Sequence, residues 1–304
     1  MSAHRVRLRT GGPAGKRRTD KIGNEHVVKQ LENEPKKARN ILVIMGSPRK
    51  GNTFHACEEL RGMLEKELPV EFEYLWLKDA NLQPCKGCLA CFAQGEDRCP
   101  CHDDAPVIGQ KMQDADGVIF ATPVYAFNVS GLMKTFIDRF SYVFHRPRFF
   151  DKKALLLTST GMFGNDNVLK YLDSVARLWG FEVSARAGTV TATPVPQYRI
   201  DRNRKAIARA ARDFAAALRR QERKSPGLYD VVVFFGQRGA FRQLEEVSPA
   251  DYRYWKEKGW LDRRVHYFVD VPVNPLYLAI GKIVGWFSAR GVQKDLAQGP
   301  GETA

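Results

Sequence analysis

The chain reads as an α/β protein, a doubly wound five-stranded parallel sheet followed by a C-terminal extension. Three observations carry that reading. Apolar runs suited to strands buried on both faces, at Asn40–Met45, Asp116–Ala121 and Lys153–Ser159, alternate with segments of helical period. The segments between strands are long enough to cross over a sheet, and such crossovers are right-handed, so helices cover both faces. The distinctive loops follow strands one, three and four, where the carboxyl ends of a parallel sheet present a ligand crevice.

Taken in order, the first strand ends in Gly46-Ser-Pro-Arg-Lys-Gly-Asn-Thr53, and a helix is expected from about Thr53 to Leu68. Val70–Leu77 alternates as the second strand. A long loop from about Lys78 to Asp103 holds five cysteines, and Asp104–Asp114 returns as a helix. The third strand, Asp116–Ala121, runs into Thr-Pro-Val-Tyr-Ala-Phe-Asn128. Ser130 is placed as the N-cap of a helix reaching about Tyr142. Lys153–Ser159 is the fourth strand, Asn165–Trp179 a helix, Glu182–Thr191 the fifth strand and Asp201–Gln221 the closing helix. In that last helix Ile207, Ala211, Phe214 and Leu218 share a face opposite Arg202, Lys205, Arg209 and Arg212, which predicts a packed stripe beneath a solvated basic face.

The 304 residues carry 48 Lys+Arg against 34 Asp+Glu, a net charge of +14. Half of that excess lies in residues 1–39, which hold eleven basic and four acidic residues without a sustained apolar period. This segment is expected to be a disordered basic tail, with a nucleic-acid or lipid-binding arm as the sharper alternative. No apolar run reaches the roughly 18 residues of a membrane span, and the basic N-terminus lacks the apolar core of a secretory signal. A cytoplasmic setting is expected, in which clustered cysteines suggest metal or redox chemistry rather than disulfides.

The loop after the first strand has the makings of an anion site. A strand-to-helix turn presents free backbone N–H groups and the positive end of a helix dipole. Ser47, Asn52 and Thr53 add neutral donors and Arg49 a charged fork. The spacing approaches the triphosphate-binding G-x-x-x-x-G-K-[ST], but Asn52 replaces the lysine, and the dinucleotide fingerprint G-x-G-x-x-G is absent. A terminal monophosphate, such as that of FMN, fits best; the bland alternative is a tight turn without a ligand.

The cysteines form a second motif, Cys85-x-x-Cys88-x-x-Cys91-x7-Cys99, with Cys101 surplus or able to replace Cys99. Three closely spaced thiolates wrap one corner of a cubane and a fourth closes it, so the spacing favours a [4Fe–4S] cluster. Zinc more often uses separated pairs, and reduced structural or redox thiols remain an alternative.

Together these residues resemble the flavodoxin-like NAD(P)H-dependent FMN reductases and, among them, the iron–sulfur flavoproteins. The matching segments are Gly46–Thr53, Cys85–Cys91, Asp103-Asp104, Thr122–Tyr125 and Gly131–Arg139, and the resemblance covers about residues 40–222. It implies FMN as cofactor, NAD(P)H as donor and a homodimer or higher homo-oligomer. By that resemblance Ser47, Arg49, Asn52 and Thr53 hold the FMN phosphate. Pro123, Val124, Tyr125 and Asn128 line the ribityl chain and ring, and Ser159, Thr160 and Gly161 border the ring's polar edge. Cys85, Cys88, Cys91 and Cys99 are the candidate metal ligands. No general acid or base is named, because flavin chemistry belongs to the cofactor.

Residues 223–304 exceed that domain. Thirteen of the 33 aromatics lie between Tyr229 and Phe287, so the extension must bury them somewhere, against the core or a second subunit first, with cover for the flavin or substrate as an alternative. Asp230–Phe235 reads as a strand, Pro249–Lys258 as a helix and Leu276–Phe287 as an apolar helix for packing, dimerisation or membrane-surface contact. The functional class is thus an FMN-dependent NAD(P)H oxidoreductase serving a quinone, flavin, aromatic or protein acceptor, with the cluster as a one-electron port. The alternative is an electron-transfer flavoprotein without its own small-molecule substrate, although such carriers are typically small and acidic. Nucleic-acid binding ranks last, for want of a base-reading or stacking module.

Overall fold

The computed structural model describes residues 38–298, so the expected tail falls almost wholly outside the described residues. The sheet is built from β1 (Arg39–Met45), β2 (Val70–Trp76), β3 (Gly117–Tyr125), β5 (Lys153–Thr160) and β6 (Glu182–Val190), all parallel, in the order β2-β1-β3-β5-β6. That is the flavodoxin-like order, with the strand order reversing at β1 and β3. A two-residue strand, β4 (Asn128–Val129), folds back antiparallel on the end of β3. β3 therefore runs four residues beyond the expected Ala121, because Val124 and Tyr125 find partners in that hairpin.

The helices are α1 (Asn52–Leu64), α2 (Ala90–Ala93), α3 (Ala105–Asp114), α4 (Gly131–Arg139), α5 (Asn165–Leu178), α6 (Gln197–Arg219), α7 (Leu228–Phe241), α8 (Pro249–Glu257) and α9 (Pro275–Gln298). Alternation along β1 divides the core. Leu42 and Ile44 pack with Met112, Phe136 and Leu172 from α3, α4 and α5, and with Trp179 at the C-cap of α5, on one face. Ile41, Val43 and Met45 pack with Leu60, Ile207 and Phe214 from α1 and α6 on the other. Each large side chain so buried contributes about 1.5–3 kcal/mol. The predicted stripe of Ile207, Ala211, Phe214 and Leu218 is buried, as its period requires.

Ser130 caps α4: its hydroxyl accepts from the Met133 N–H and donates to the Gly46 carbonyl at 2.7 Å, fastening the loop after β1 to the start of α4. The helix stops at Arg139, and Ser141–Phe144 form a separate 3₁₀ turn where a continuous helix to Tyr142 was expected. The loop Lys78–Asp103 likewise contains α2 and a 3₁₀ turn at Glu96–Arg98.

The extension corrects one expectation outright. Asp230–Phe235 is not a strand but part of α7. Its unbroken apolar run carries no period to separate a buried strand from a helix walled in on several sides. Phe234, Phe235 and Phe241 of α7 form a third core with Trp255 and Trp260, and Phe150 of the sheet domain packs against it. α7 and α9 meet backbone to backbone: a Cβ on Gly239 would lie 2.2 Å from the Gly285 carbonyl oxygen. Among the described residues, no helix is long and apolar enough to cross a membrane.

Candidate functional site

Four loops leave the carboxyl edge of the sheet next to one another, and hydrogen bonds bind them together. Thr53, buried at the start of α1, shares a 2.6 Å hydrogen bond with Ser159 at the end of β5. Asn52 donates to the Thr191 hydroxyl at 2.8 Å, beyond β6. The Ser130 N–H donates to the Thr122 hydroxyl at 3.2 Å, joining the β3 loop to the same group. The sequence reading places Thr191 only at the end of the fifth strand and not in the site, since nothing local marks it.

The loop after β1 is built to receive an anion. Ser47 is buried, and its hydroxyl donates to the Arg49 carbonyl at 2.8 Å, which fixes the turn. Gly51 occupies the N-cap of α1 without a capping side chain, and the first turn carries no acid. The orphan amides of that turn are thus left for an incoming acceptor. Arg49 is exposed beside them. The segments 46–53, 122–128, 159–165 and 191–197 contain no Asp or Glu at all, so nothing at this edge repels a phosphate. These donors fit a terminal phosphate.

Beyond the phosphate loop, the edge becomes apolar. Pro123 is buried, Val124 half-buried, and Tyr125 and Asn128 exposed at the β3–β4 hairpin. Asn128 turns its side-chain carbonyl back to the Val129 N–H at 2.8 Å. At the hairpin tip Ala126 and Phe127 both hold left-handed backbone, φ +48 and +61, a conformation that costs non-glycine residues about 1 kcal/mol or more. That geometry leaves Phe127 66% exposed. Ser159 and Thr160 are buried and Gly161 exposed. The Thr160 hydroxyl donates to the Phe163 carbonyl at 2.5 Å, closing a turn that leaves Met162 and Phe163 exposed at 55% and 69%. The two tips touch at Gly164, whose φ of +98 and proximity to Val124 and Phe127 leave no room for a side chain. Met162 and Phe163 directly follow a named site residue, so their exposure had a signal in the sequence: bulky apolar residues in a glycine turn.

The NADPH-dependent FMN reductase family matches residues 39–193, the segment that holds the first three loops and the start of the fourth. The chain belongs to this family. As an NAD(P)H-dependent FMN oxidoreductase, it resembles an iron-sulfur flavoprotein of Archaeoglobus fulgidus at 30% identity over 220 residues, 72% of this chain and 98% of that one. It is 40% identical over 100 residues, 33% of this chain and 50% of the relative, to an iron-sulfur flavoprotein of Methanocaldococcus jannaschii. A putative NAD(P)H-dependent FMN-containing oxidoreductase of Bacillus subtilis matches at 35% over 113 residues, 37% and 58% of the respective chains.

The reductase has a second polar assembly around its cysteine loop. Cys85, Cys88, Cys91, Cys99 and Cys101 all line one cavity of about 650 Å³, and all are unbridged. Among the described residues, no three metal-ligating side chains are gathered to metal-holding distance. The loop is anchored from beneath by a buried pair that sequence spacing could not reveal: Arg139 to Asp103 at 2.8 Å, their side chains 5% and 0% exposed. Arg139 also donates to the Cys99 sulfur at 3.2 Å and to the Cys101 carbonyl at 3.3 Å. Burial works against the Asp103 charge, but the bonds from Arg139 and from the Gln83 and Ala105 N–H groups outweigh it and hold the carboxyl below its ordinary range. Cys101 is buried, its sulfur 3.9 Å from the Pro84 carbonyl. Cys91 is half-buried, which raises its thiol pKa while the Arg146 guanidinium pulls it down.

Proposed function

We propose that the chain passes electrons from NAD(P)H through FMN to a quinone or other flat aromatic acceptor, and that its cysteine loop holds a [4Fe–4S] cluster. Ser47, Arg49, Asn52 and Thr53 receive the FMN phosphate. Pro123, Val124, Tyr125 and Asn128 flank the ribityl chain and one side of the ring, with Ser159, Thr160 and Gly161 along the polar edge. FMN, when bound, accepts a hydride and releases electrons singly or in pairs. The protein's part is to hold and shield: Thr53 and Ser159 lock the floor, and the loops exclude carboxylates. Tyr125, Phe127 and Phe163 offer apolar faces on which a flat acceptor stacks.

The cluster reading rests on one observation, five unbridged thiols around a single cavity. The donor set fits such a group. Soft thiolates suit iron, and the buried Arg139 and Arg146 guanidiniums offset the negative charge that thiolates bring. Cys85, Cys88, Cys91 and Cys99 would hold it, with Arg139 on Cys99. The iron-sulfur flavoproteins among its relatives support the same reading.

Anaerobic purification of the full chain tests this. Stoichiometric FMN, iron and acid-labile sulfide are expected, with NADPH oxidation accelerated by a soluble quinone. Iron and sulfide near zero would falsify the cluster. FMN binding with no acceptor-dependent oxidation would leave an electron carrier and overturn the substrate assignment.

A further inference from the structure

The cysteine loop belongs to the matched family segment, yet residues outside that segment help to hold it. Asp251 of α8 is fully buried. One of its carboxylate oxygens accepts from Arg146 Nη1 at 2.5 Å; the other accepts from the Ser248 hydroxyl and pairs with His145 Nδ1, both at 2.7 Å. Arg146, only 2% exposed, uses its second arm on the loop: Nη2 donates to the Cys91 carbonyl at 2.8 Å and to Glu96 at 3.1 Å. Glu96 also takes Arg148 Nη1 at 2.9 Å. Ser248 reaches the Phe92 carbonyl at 3.4 Å, and the Phe92 ring lies 4.5 Å from that of His145.

The contacts fall into two tiers: Asp251 gathers Arg146, His145 and Ser248, and Arg146, Arg148 and Ser248 in turn reach the backbone or carboxylate of residues 91–96. A surface loop needs no fully buried carboxylate to stay folded. A loop whose sulfurs must keep fixed spacing does need its backbone carbonyls anchored, because a guanidinium fork fixes direction as well as distance.

We propose that Asp251 and Arg146 are positioning residues, through which the C-terminal extension fixes the Cys91–Glu96 backbone and so sets the spacing of the cysteine thiols. This rests on the reading of the cysteine loop as an electron port, but the contact itself is testable without metal. Two variants separate positioning from folding. Arg146→Lys keeps a cation for Asp251 but cannot also span to the Cys91 carbonyl. In Arg146→Met/Asp251→Leu the buried pair becomes apolar, a change that often leaves stability unaltered.

Both full-length variants, reduced and metal-free, are compared with the parent for thermal midpoint, amide exchange and alkylation of Cys91 by N-ethylmaleimide. The expected result is a near-parental midpoint and FMN affinity, with exchange over residues 90–96 and Cys91 alkylation each faster by about tenfold or more. Unchanged exchange and alkylation in either folded variant overturn the proposal. Should the double variant unfold, Arg146→Lys alone decides. An FMN-loaded, iron-free parent refutes the cluster reading while leaving the exchange result to judge the positioning role.

Discussion

Thr53 and Ser159 lie 106 residues apart in sequence and share a buried hydrogen bond of 2.6 Å. It joins the loop after β1 to the end of β5, so the floor of the proposed flavin site is one piece and not two adjacent loops. Replacing Thr53 by Val strands the Ser159 hydroxyl in the interior. A loss of about 1–3 kcal/mol is expected. The double change Thr53→Val/Ser159→Ala should recover much of it, as urea unfolding of the parent and both variants would show.

Arg49 is expected to act on the phosphate alone. It is exposed, so Arg49→Ala should leave the thermal midpoint unchanged while weakening FMN by about tenfold, the loss of one charge-assisted bond. Riboflavin, which has no phosphate, should bind parent and variant equally. Equal weakening of both ligands would move Arg49 from the phosphate to the ring.

The Asp103–Arg139 pair makes stability depend on acid. The Asp103 carboxyl is held below its unfolded value, so its contribution is fully present at neutral pH. That contribution is lost as pH falls through the ordinary carboxylate range toward the depressed folded value. Unfolding free energy should decline from about pH 5 downward, and Asp103→Asn should flatten that decline while lowering stability at pH 7. Arg139→Met, which leaves a buried carboxylate alone, should cost about 3–5 kcal/mol at pH 7.

The seam between α7 and α9 admits no methyl group. Gly239→Ala drives a Cβ into the Gly285 carbonyl and should cost about 1–3 kcal/mol as the helices separate. A near-parental denaturation midpoint for Gly239→Ala would mean the helices pack more loosely than described.

What could be read from the sequence was local. The β1 run, the Ser130 cap and the Gly46–Thr53 turn each announce themselves within ten residues, because strand burial, capping and anion cradles are short-range patterns. The extension resisted. Val231–Phe235 has no period to expose its helical state, and its composition is explained by distant partners: Trp255 and Trp260 on one side and Gly281 of α9 on the other. The partners that matter most around the cysteines, Arg139 with Asp103 and Arg146 with Asp251, sit 36 and 105 positions apart. No spacing rule links such pairs; topology alone brings them together.

The left-handed pair at Ala126 and Phe127 bears on timing. Free in solution, an aromatic on a hairpin tip samples many orientations, and each encounter with a flat guest would have to freeze it afresh. Here folding sets the backbone that carries the ring once, before any guest arrives. If the proposed acceptors stack there, they meet a hairpin backbone already set, and less of their binding energy is diverted into ordering that tip.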